Sequence, residues 1–245
     1  MQRLFNGVRG AVAFMTLLPL GGVLNAASLV VLPLTGLIVG GAVALGFWIG
    51  DRSGSSLVGA VLALFVDAAI TRGLHYDAVA DTADGLAGFV GRQRRIAIMD
   101  EPTVGAFAVV SVVVVVLARV SAWSSLGFPV FLVGFFVLGR ALMALSMLCF
   151  PLAKESSLTK IFANERRRWL IWVLVLEAVA IGVATVAFSS LWVLIPIFVG
   201  LLGGSGILGF AIHRLGGITG DVVGAVGLVG ESTMLMVAAI LRIHG

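Results

Sequence analysis

Seven uninterrupted apolar windows decide what this chain can fold into. They lie at about 29–49, 55–71, 104–123, 129–149, 169–188, 191–211 and 222–241. An α-helix rises about 1.5 Å per residue, so roughly 20 residues cross the hydrocarbon of a bilayer. In lipid each backbone amide must be satisfied within its own segment, which makes helices of such windows. A soluble fold would have to hide them under a polar shell, and the chain has none to offer. Of 245 residues 60% are apolar and 11% charged, against roughly 25% charged in soluble domains. The mean hydropathy is +1.15. The expected fold is all-α: one membrane-embedded domain over 1–245, a polytopic bundle of about seven transmembrane helices. Segment 10–22 is shorter, and reads as an interfacial helix, a re-entrant helix or an eighth span. Arg3 and Arg9 ahead of it mimic a signal peptide, but Thr16-Leu17-Leu18-Pro19 is not a small-residue cleavage site. The single Cys149 excludes an intrachain disulfide framework.

Three polar segments interrupt the windows, at 72–103, 151–168 and 213–221. A seven-helix path with its N-terminus inside puts all three on one side. That side then carries Arg3, Arg9, Arg72, Arg92, Arg94, Arg95, Lys154, Lys160, Arg166, Arg167, Arg168 and Arg214, while the other carries only Arg52 and Arg242. Basic residues collect on the cytoplasmic side of membrane proteins. The expected location is therefore the cell (inner) membrane, multi-pass, with the N-terminus and polar loops cytoplasmic. This topology also explains most of the basic residues without a nucleic-acid partner.

The most informative stretch runs from Thr71 to Gly85. Within it Asp77, Asp81 and Asp84 stand at i, i+4 and i+7 and share one helical face. Like charges at that spacing destabilise a helix, so something should offset them. A divalent cation is the simplest answer, and Mg²⁺ takes carboxylate oxygens while keeping waters for a phosphorylated ligand. A solvated acidic face at the membrane edge is the plain alternative. His75 is either an acid/base group or a structural hydrogen-bond partner. Asp67, Glu177 and Glu231 fall inside spans, as do Arg119 and Arg140, where ionisable residues face the bundle interior and pair. Arg72, Arg94, Arg95, Lys154 and Arg214 are candidates for phosphate contacts as well as topological charges.

The third polar segment reads His213-Arg214-Leu215-Gly216-Gly217-Ile218-Thr219-Gly220-Asp221. Its glycines free the backbone for a turn that could cradle phosphate. It is neither a Walker A loop nor a dinucleotide fingerprint. Asp221 caps the last span or completes a metal site with Asp77, Asp81 and Asp84.

These residues together resemble the adenosylcobinamide-GDP ribazoletransferase family, also called cobalamin synthase or cobalamin-5'-phosphate synthase. The resemblance spans nearly the whole chain. It starts at Phe14-Met15-Thr16-Leu17-Leu18-Pro19 and is strongest over His75-Tyr76-Asp77-Ala78-Val79-Ala80-Asp81-Thr82-Ala83-Asp84-Gly85. It takes in Met99 to Phe107, Arg140 and Pro151-Leu152-Ala153, and closes at Arg214-Leu215-Gly216-Gly217-Ile218-Thr219-Gly220-Asp221. Leu17, Ala78 and Glu101-Pro102-Thr103 depart from the family pattern. The resemblance implies a Mg²⁺-dependent phosphotransfer, joining adenosylcobinamide-GDP to alpha-ribazole or its 5'-phosphate with release of GMP. It implies metal at Asp77, Asp81 and Asp84 with Asp221 or Glu101, catalysis by these Asp residues and His75, and substrate contacts from Arg72, Arg94, Arg95, Arg140, Lys154, Arg214 and Thr219. The partners implied are those two small molecules and membrane lipid, and a homo-oligomer is left open.

Two rival classes are weighed against this one. A lipid-synthesising CDP-alcohol phosphotransferase runs the same chemistry, but its Arg after Asp-Gly and second spaced Asp pair are missing here. A transporter would spread polar groups through mid-membrane, whereas most acids here gather at the segment edges.

Overall fold

The computed structural model describes residues 2–154 and 168–243. Lys160, Arg166 and Arg167 lie outside them. The described residues are all helical apart from turns and one isolated parallel bridge, Leu152 with Ile218. In chain order the helices are α1 Gln2–Met15, α2 Ala26–Val31, α3 Thr35–Asp51, α4 Ser56–Thr71, α5 Leu74–Ala87, α6 Arg92–Met99, α7 Ala106–Leu126 and α8 Leu132–Cys149. After the undescribed stretch come α9 Arg168–Ala187, a 3-10 turn Leu191–Val193, α10 Leu194–Leu215 and α11 Gly220–Ile240. Six helical segments are long and apolar enough to cross a membrane, counting α2 and α3 together. A seventh, α4, reaches that length only together with α5, from which it is bent by 86°. Each of the seven apolar windows thus corresponds to a helix.

An eighth crossing over 10–22 does not form. The amphipathic helix α1 ends at Met15 and buries Gly7, Ala11, Val12 and Met15 while Leu4 and Phe5 stay exposed. The chain then folds back along it, held by a hydrogen bond from Arg9 Nε to the Leu20 carbonyl (2.7 Å). Asn25 starts α2 with a capping box: its side chain accepts from Ala27 N (2.9 Å), and Ser28 Oγ accepts from Asn25 N (3.1 Å).

The corner between α4 and α5 positions the site. Arg72 and Gly73 both sit in the left-handed region, at φ 56° and 67°. Gly73 N donates to Ala68 O (2.8 Å) and Arg72 N to Ala69 O (3.2 Å), a Schellman stop. A left-handed conformation costs a non-glycine residue about 1–2 kcal/mol. Arg72 offsets this by donating to the Ala13 and Phe14 carbonyls at the end of α1 (3.3 and 3.1 Å). The span therefore ends here, and the polar helix α5 leaves at nearly a right angle.

Small residues let the helices close on one another, the usual device where no hydrophobic drive exists between spans. A Cβ on Gly204 of α10 would lie 2.7 Å from the Val226 carbonyl of α11. At the end of the bundle away from α5, Phe47, Trp123, Phe128, Phe131, Phe135 and Phe136 build an aromatic core. Trp123 is fully buried and stacks on Phe136 at 6.5 Å.

Between that core and the polar end lies a buried charge network. Arg119 donates to Asp67 Oδ2 (2.9 Å) and to Glu231 Oε1 (2.6 Å), and Arg140 lies 3.4 Å from Glu231 Oε2. Tyr76 donates its hydroxyl to Asp67 (2.8 Å). Arg119 also lies 4.7 Å over the Trp123 ring. Two cations face two anions, so the network is neutral as a whole. Glu177 on α9 takes no part in it.

Candidate active site

The first and third polar segments and the described start of the second, residues 151–154, meet at one end of the bundle. The bridge between Leu152 and Ile218 joins the second to the third, with Ala153 N donating to Ile218 O (2.8 Å) and Ile218 N to Pro151 O (2.9 Å). Gly217 makes this approach available, since a Cβ there would lie 2.6 Å from the backbone of residues 151–153. Arg92 of α6 reaches the Ala153 carbonyl (3.3 Å), and Lys154 pairs with Asp100, which tie the first segment to the second. The glycines of the third segment thus serve backbone packing: Gly216 ends α10 in the left-handed region at φ 71°, and Gly217 docks on the second segment.

Four carboxylates gather here: Asp77 and Asp81 from α5, Asp221 from the first turn of α11, and Asp100 at the end of α6. The Asp81 carboxyl is pushed up to about 6, first by burial and then by Asp77, Asp221, Asp84 and Asp100. Its folded value lies above its ordinary one, so the crowded ionised form is a burden on the fold above about pH 6 that protonation, or a cation, relieves.

Their surroundings differ in what offsets the charge. Asp84 is drawn aside to the start of α7, where its carboxylate accepts from Gly105 N (2.6 Å) and Ala108 N (2.9 Å). This is a helix cap supplied from another helix. Asp77 and Asp221 each stand in the first turn of their helices, where the helix dipole favours an anion. Asp100 follows the C-terminus of α6, where the dipole opposes it, and depends on Lys154. Asp81 sits mid-helix, away from either helix end, and has no basic partner among the described residues. Among the described residues no group of three His, Cys, Asp or Glu side chains is placed to hold a metal ion. One or two carboxylates with waters and substrate phosphates is the usual Mg²⁺ arrangement.

The other sequence candidates fall in several places. Glu101 is turned away from the cluster and pairs with Arg94 at 2.6 Å, both exposed, while its neighbour Asp100 lies with the other acids. Arg95 is 2% exposed and donates to the Gly85 (3.1 Å), Leu86 (2.8 Å) and Gly88 carbonyls, closing the C-terminus of α5. Arg72 is spent on α1, and Arg140 on Glu231 and the Phe136 carbonyl inside the bundle. Arg214 lies over the Phe210 ring at 5.1 Å. Thr219 caps α11 by accepting from Val222 N (3.1 Å). Of the basic candidates, Lys154 alone is tied to the carboxylate cluster by an ion pair among the described residues. Sequence reasoning missed Asp100. Its signal was slight: an acid directly after a short basic helix, beside the more conspicuous Glu101.

His75 is 4% exposed and stands next to the cluster. Burial first, then the guanidiniums of Arg140 and Arg119, push its imidazole down to about 3. It is therefore a neutral hydrogen-bonding group and a weak base. Beside it is a cavity of about 150 Å³ lined by Phe14, Met15, Met143 and Met147 and reached by Asp77 and Asp221.

Fold and site define a polytopic helical membrane protein with crowded carboxylates at one end of its bundle. The cobalamin-5-phosphate synthase family model matches residues 7–239, and the chain belongs to that family. It is 33% identical to an adenosylcobinamide-GDP ribazoletransferase of Bradyrhizobium diazoefficiens over 98% of this chain and 95% of that one. It is 32% identical to a protein of the same name in Chlorobaculum parvum, over 97% and 96% of the two chains. A third such relative, from Acinetobacter baumannii, is 30% identical over 92% and 93%. No solved structure matches the chain.

Proposed function

We propose that this protein transfers the adenosylcobinamide-phosphate group of adenosylcobinamide-GDP to alpha-ribazole or its 5'-phosphate, releasing GMP. The observation that carries the reading is the crowding of Asp81 by Asp77, Asp221 and Asp100 at the polar end of the bundle, in a chain of the cobalamin-5-phosphate synthase family. The excess of Lys and Arg in the three polar segments supports a cytoplasmic position for this end, in the cell inner membrane.

Asp81, with Asp77 or Asp221, would hold Mg²⁺, as one or two carboxylates with waters and substrate phosphates do. When bound, the ion neutralises diphosphate charge and makes the phosphorus more electrophilic. The chain's own groups do the rest. Lys154, released from Asp100 by a competing phosphate, binds the GMP side of the diphosphate. A ribazole hydroxyl attacks the phosphorus attached to cobinamide. The new P–O bond forms as the bond to the GMP oxygen breaks. Whichever of Asp77 and Asp221 is left free of the ion takes the hydroxyl proton. No Cys or Ser of the site is needed as a nucleophile, so the transfer is direct. Asp84 positions α5 against α7 and stays out of the chemistry.

The test is to supply purified protein in detergent with adenosylcobinamide-GDP, alpha-ribazole and Mg²⁺, and to follow GMP and a cobalamin product by chromatography. Stoichiometric appearance of both is expected. A folded sample that yields neither with the free or the phosphorylated ribazole overturns the assignment.

A further inference from the structure

The His75 side chain presents an anomaly that the transfer chemistry does not use. Both of its ring nitrogens are buried and have no hydrogen-bond partner among the described residues. Buried polar groups are nearly always satisfied, and an exception calls for a reason such as an absent ligand. The second observation is the cavity against which His75 lies, about 150 Å³ in volume. A space of roughly that size takes a benzene-sized ring. The rest of its lining is apolar or glycine and includes Phe14, Met15, Leu74, Met143, Met147 and Val223. Thioether and aromatic groups pack well on a flat aromatic ring, and methionine adapts to its outline. The third observation is direction. Asp77 and Asp221 also line this cavity, so whatever fills it projects toward the acidic cluster.

We propose that this cavity seats the six-membered ring of the acceptor nucleoside's aromatic base, a benzimidazole-type bicycle whose five-membered ring lies toward the mouth, with a His75 N–H donating to the free ring nitrogen of that base. The inference rests on the reading given under Proposed function and adds to it which substrate part goes where. The carbocyclic ring lies among Phe14 and the three methionines. The ring nitrogen meets His75, which carries one donor and one acceptor in its neutral form. The ribose is then left at the mouth of the cavity, where its hydroxyl reaches Asp77 or Asp221 and the phosphorus. A site built to hydrogen-bond a particular atom rejects an analogue lacking it, because the site's own buried group is then left unpaired. His75 is thus a specificity-determining residue for the base and takes no proton in the reaction.

The experiment compares two acceptors in the membrane enzyme as purified: the benzimidazole riboside and the indole riboside, in which the ring nitrogen is replaced by CH. Wild type is expected to favour the benzimidazole acceptor at least tenfold in kcat/KM. His75→Phe should fold with an unchanged or higher melting temperature, since it removes an unsatisfied polar side chain. It should raise KM for the benzimidazole acceptor at least tenfold, leave KM for adenosylcobinamide-GDP within twofold, and take both acceptors alike. His75→Gln, which keeps a donor, should restore part of the preference. Equal use of both acceptors by wild type, or undiminished preference in a folded His75→Phe, overturns the inference while leaving the transfer reaction standing. Absence of GMP release by wild type with the benzimidazole acceptor removes the reaction and the inference together.

Discussion

Replacing Arg119 with Leu tests how the interior of the bundle is held together. Arg119 is fully buried and holds two carboxylates at once, Asp67 at 2.9 Å and Glu231 at 2.6 Å. A hydrogen bond to a charged group contributes about 1.5–3 kcal/mol, and removing one member of a buried ion pair costs about 3–5 kcal/mol because the partner is left uncompensated. Two carboxylates would share the single cation Arg140, itself 3.4 Å from Glu231, so Asp67 is the group left stranded. Its protonation limits the damage, and the loss should fall at about 3–5 kcal/mol. A second substitution, Asp67→Asn, then removes the stranded charge while keeping an acceptor for the Tyr76 hydroxyl. The Arg119→Leu/Asp67→Asn double variant leaves Glu231 with Arg140 and restores neutrality. It should recover on the order of 2 kcal/mol, within the usual range of coupling between contacting residues. Reversible unfolding in mixed micelles, followed by tryptophan fluorescence, reads wild type, both single variants and the double variant. If the two losses simply add, the network is not the neutral unit its geometry describes.

Two further outcomes follow from the polar end. Asp84→Ala should destabilise the protein by about 1–2 kcal/mol through the lost cap on α7, whereas Asp81→Asn, which relieves crowding, should raise or preserve the melting temperature. Equal destabilisation by both would contradict the division of labour between these two acids. Gly217→Ala should separate the second and third polar segments, since its Cβ meets backbone at 2.6 Å. It should cut turnover severely and raise hydrogen exchange at Ala153 N and Ile218 N, and a silent substitution would show that this docking is dispensable.

How much of this was open to reading from the sequence depends on the interaction concerned. The seven helices were legible because lipid imposes one solution on each apolar window, a solution that does not depend on its neighbours. The bend between α4 and α5 was not. Arg72 looks like one more cytoplasmic charge, and only the arrival of α1 beside it gives a left-handed arginine its compensating bonds. The acidic face of α5 was visible from its spacing, but the different fates of its members were not. Asp84 becomes a cap only once the start of α7 is brought alongside, and Asp81 becomes crowded only when Asp221 and Asp100 arrive from far along the chain. Glu101 and Asp100 are adjacent and chemically alike, and the direction in which each points is set by the final turn of α6. Arg119 and Arg140 were both recognisable as span charges needing partners. Which acid each takes is a matter of a few ångströms between helices, invisible to periodicity. The glycines at 216 and 217 suggested a phosphate cradle by composition, and their positions show a helix stop and a backbone docking contact instead.

The account's central claim is that Asp81, with Asp77 and Asp221, forms a magnesium-dependent transfer site. Its most direct measurement is GMP release from adenosylcobinamide-GDP and alpha-ribazole across a Mg²⁺ titration, in wild type, Asp81→Asn and Glu101→Gln. The account predicts turnover that depends on Mg²⁺ in wild type, falls at least 100-fold in folded Asp81→Asn (roughly 2.7 kcal/mol of barrier), and stays within about twofold in Glu101→Gln, whose carboxylate belongs to Arg94. Full turnover by Asp81→Asn, or a Mg²⁺ requirement that shifts with Glu101 and not with Asp81, would contradict it.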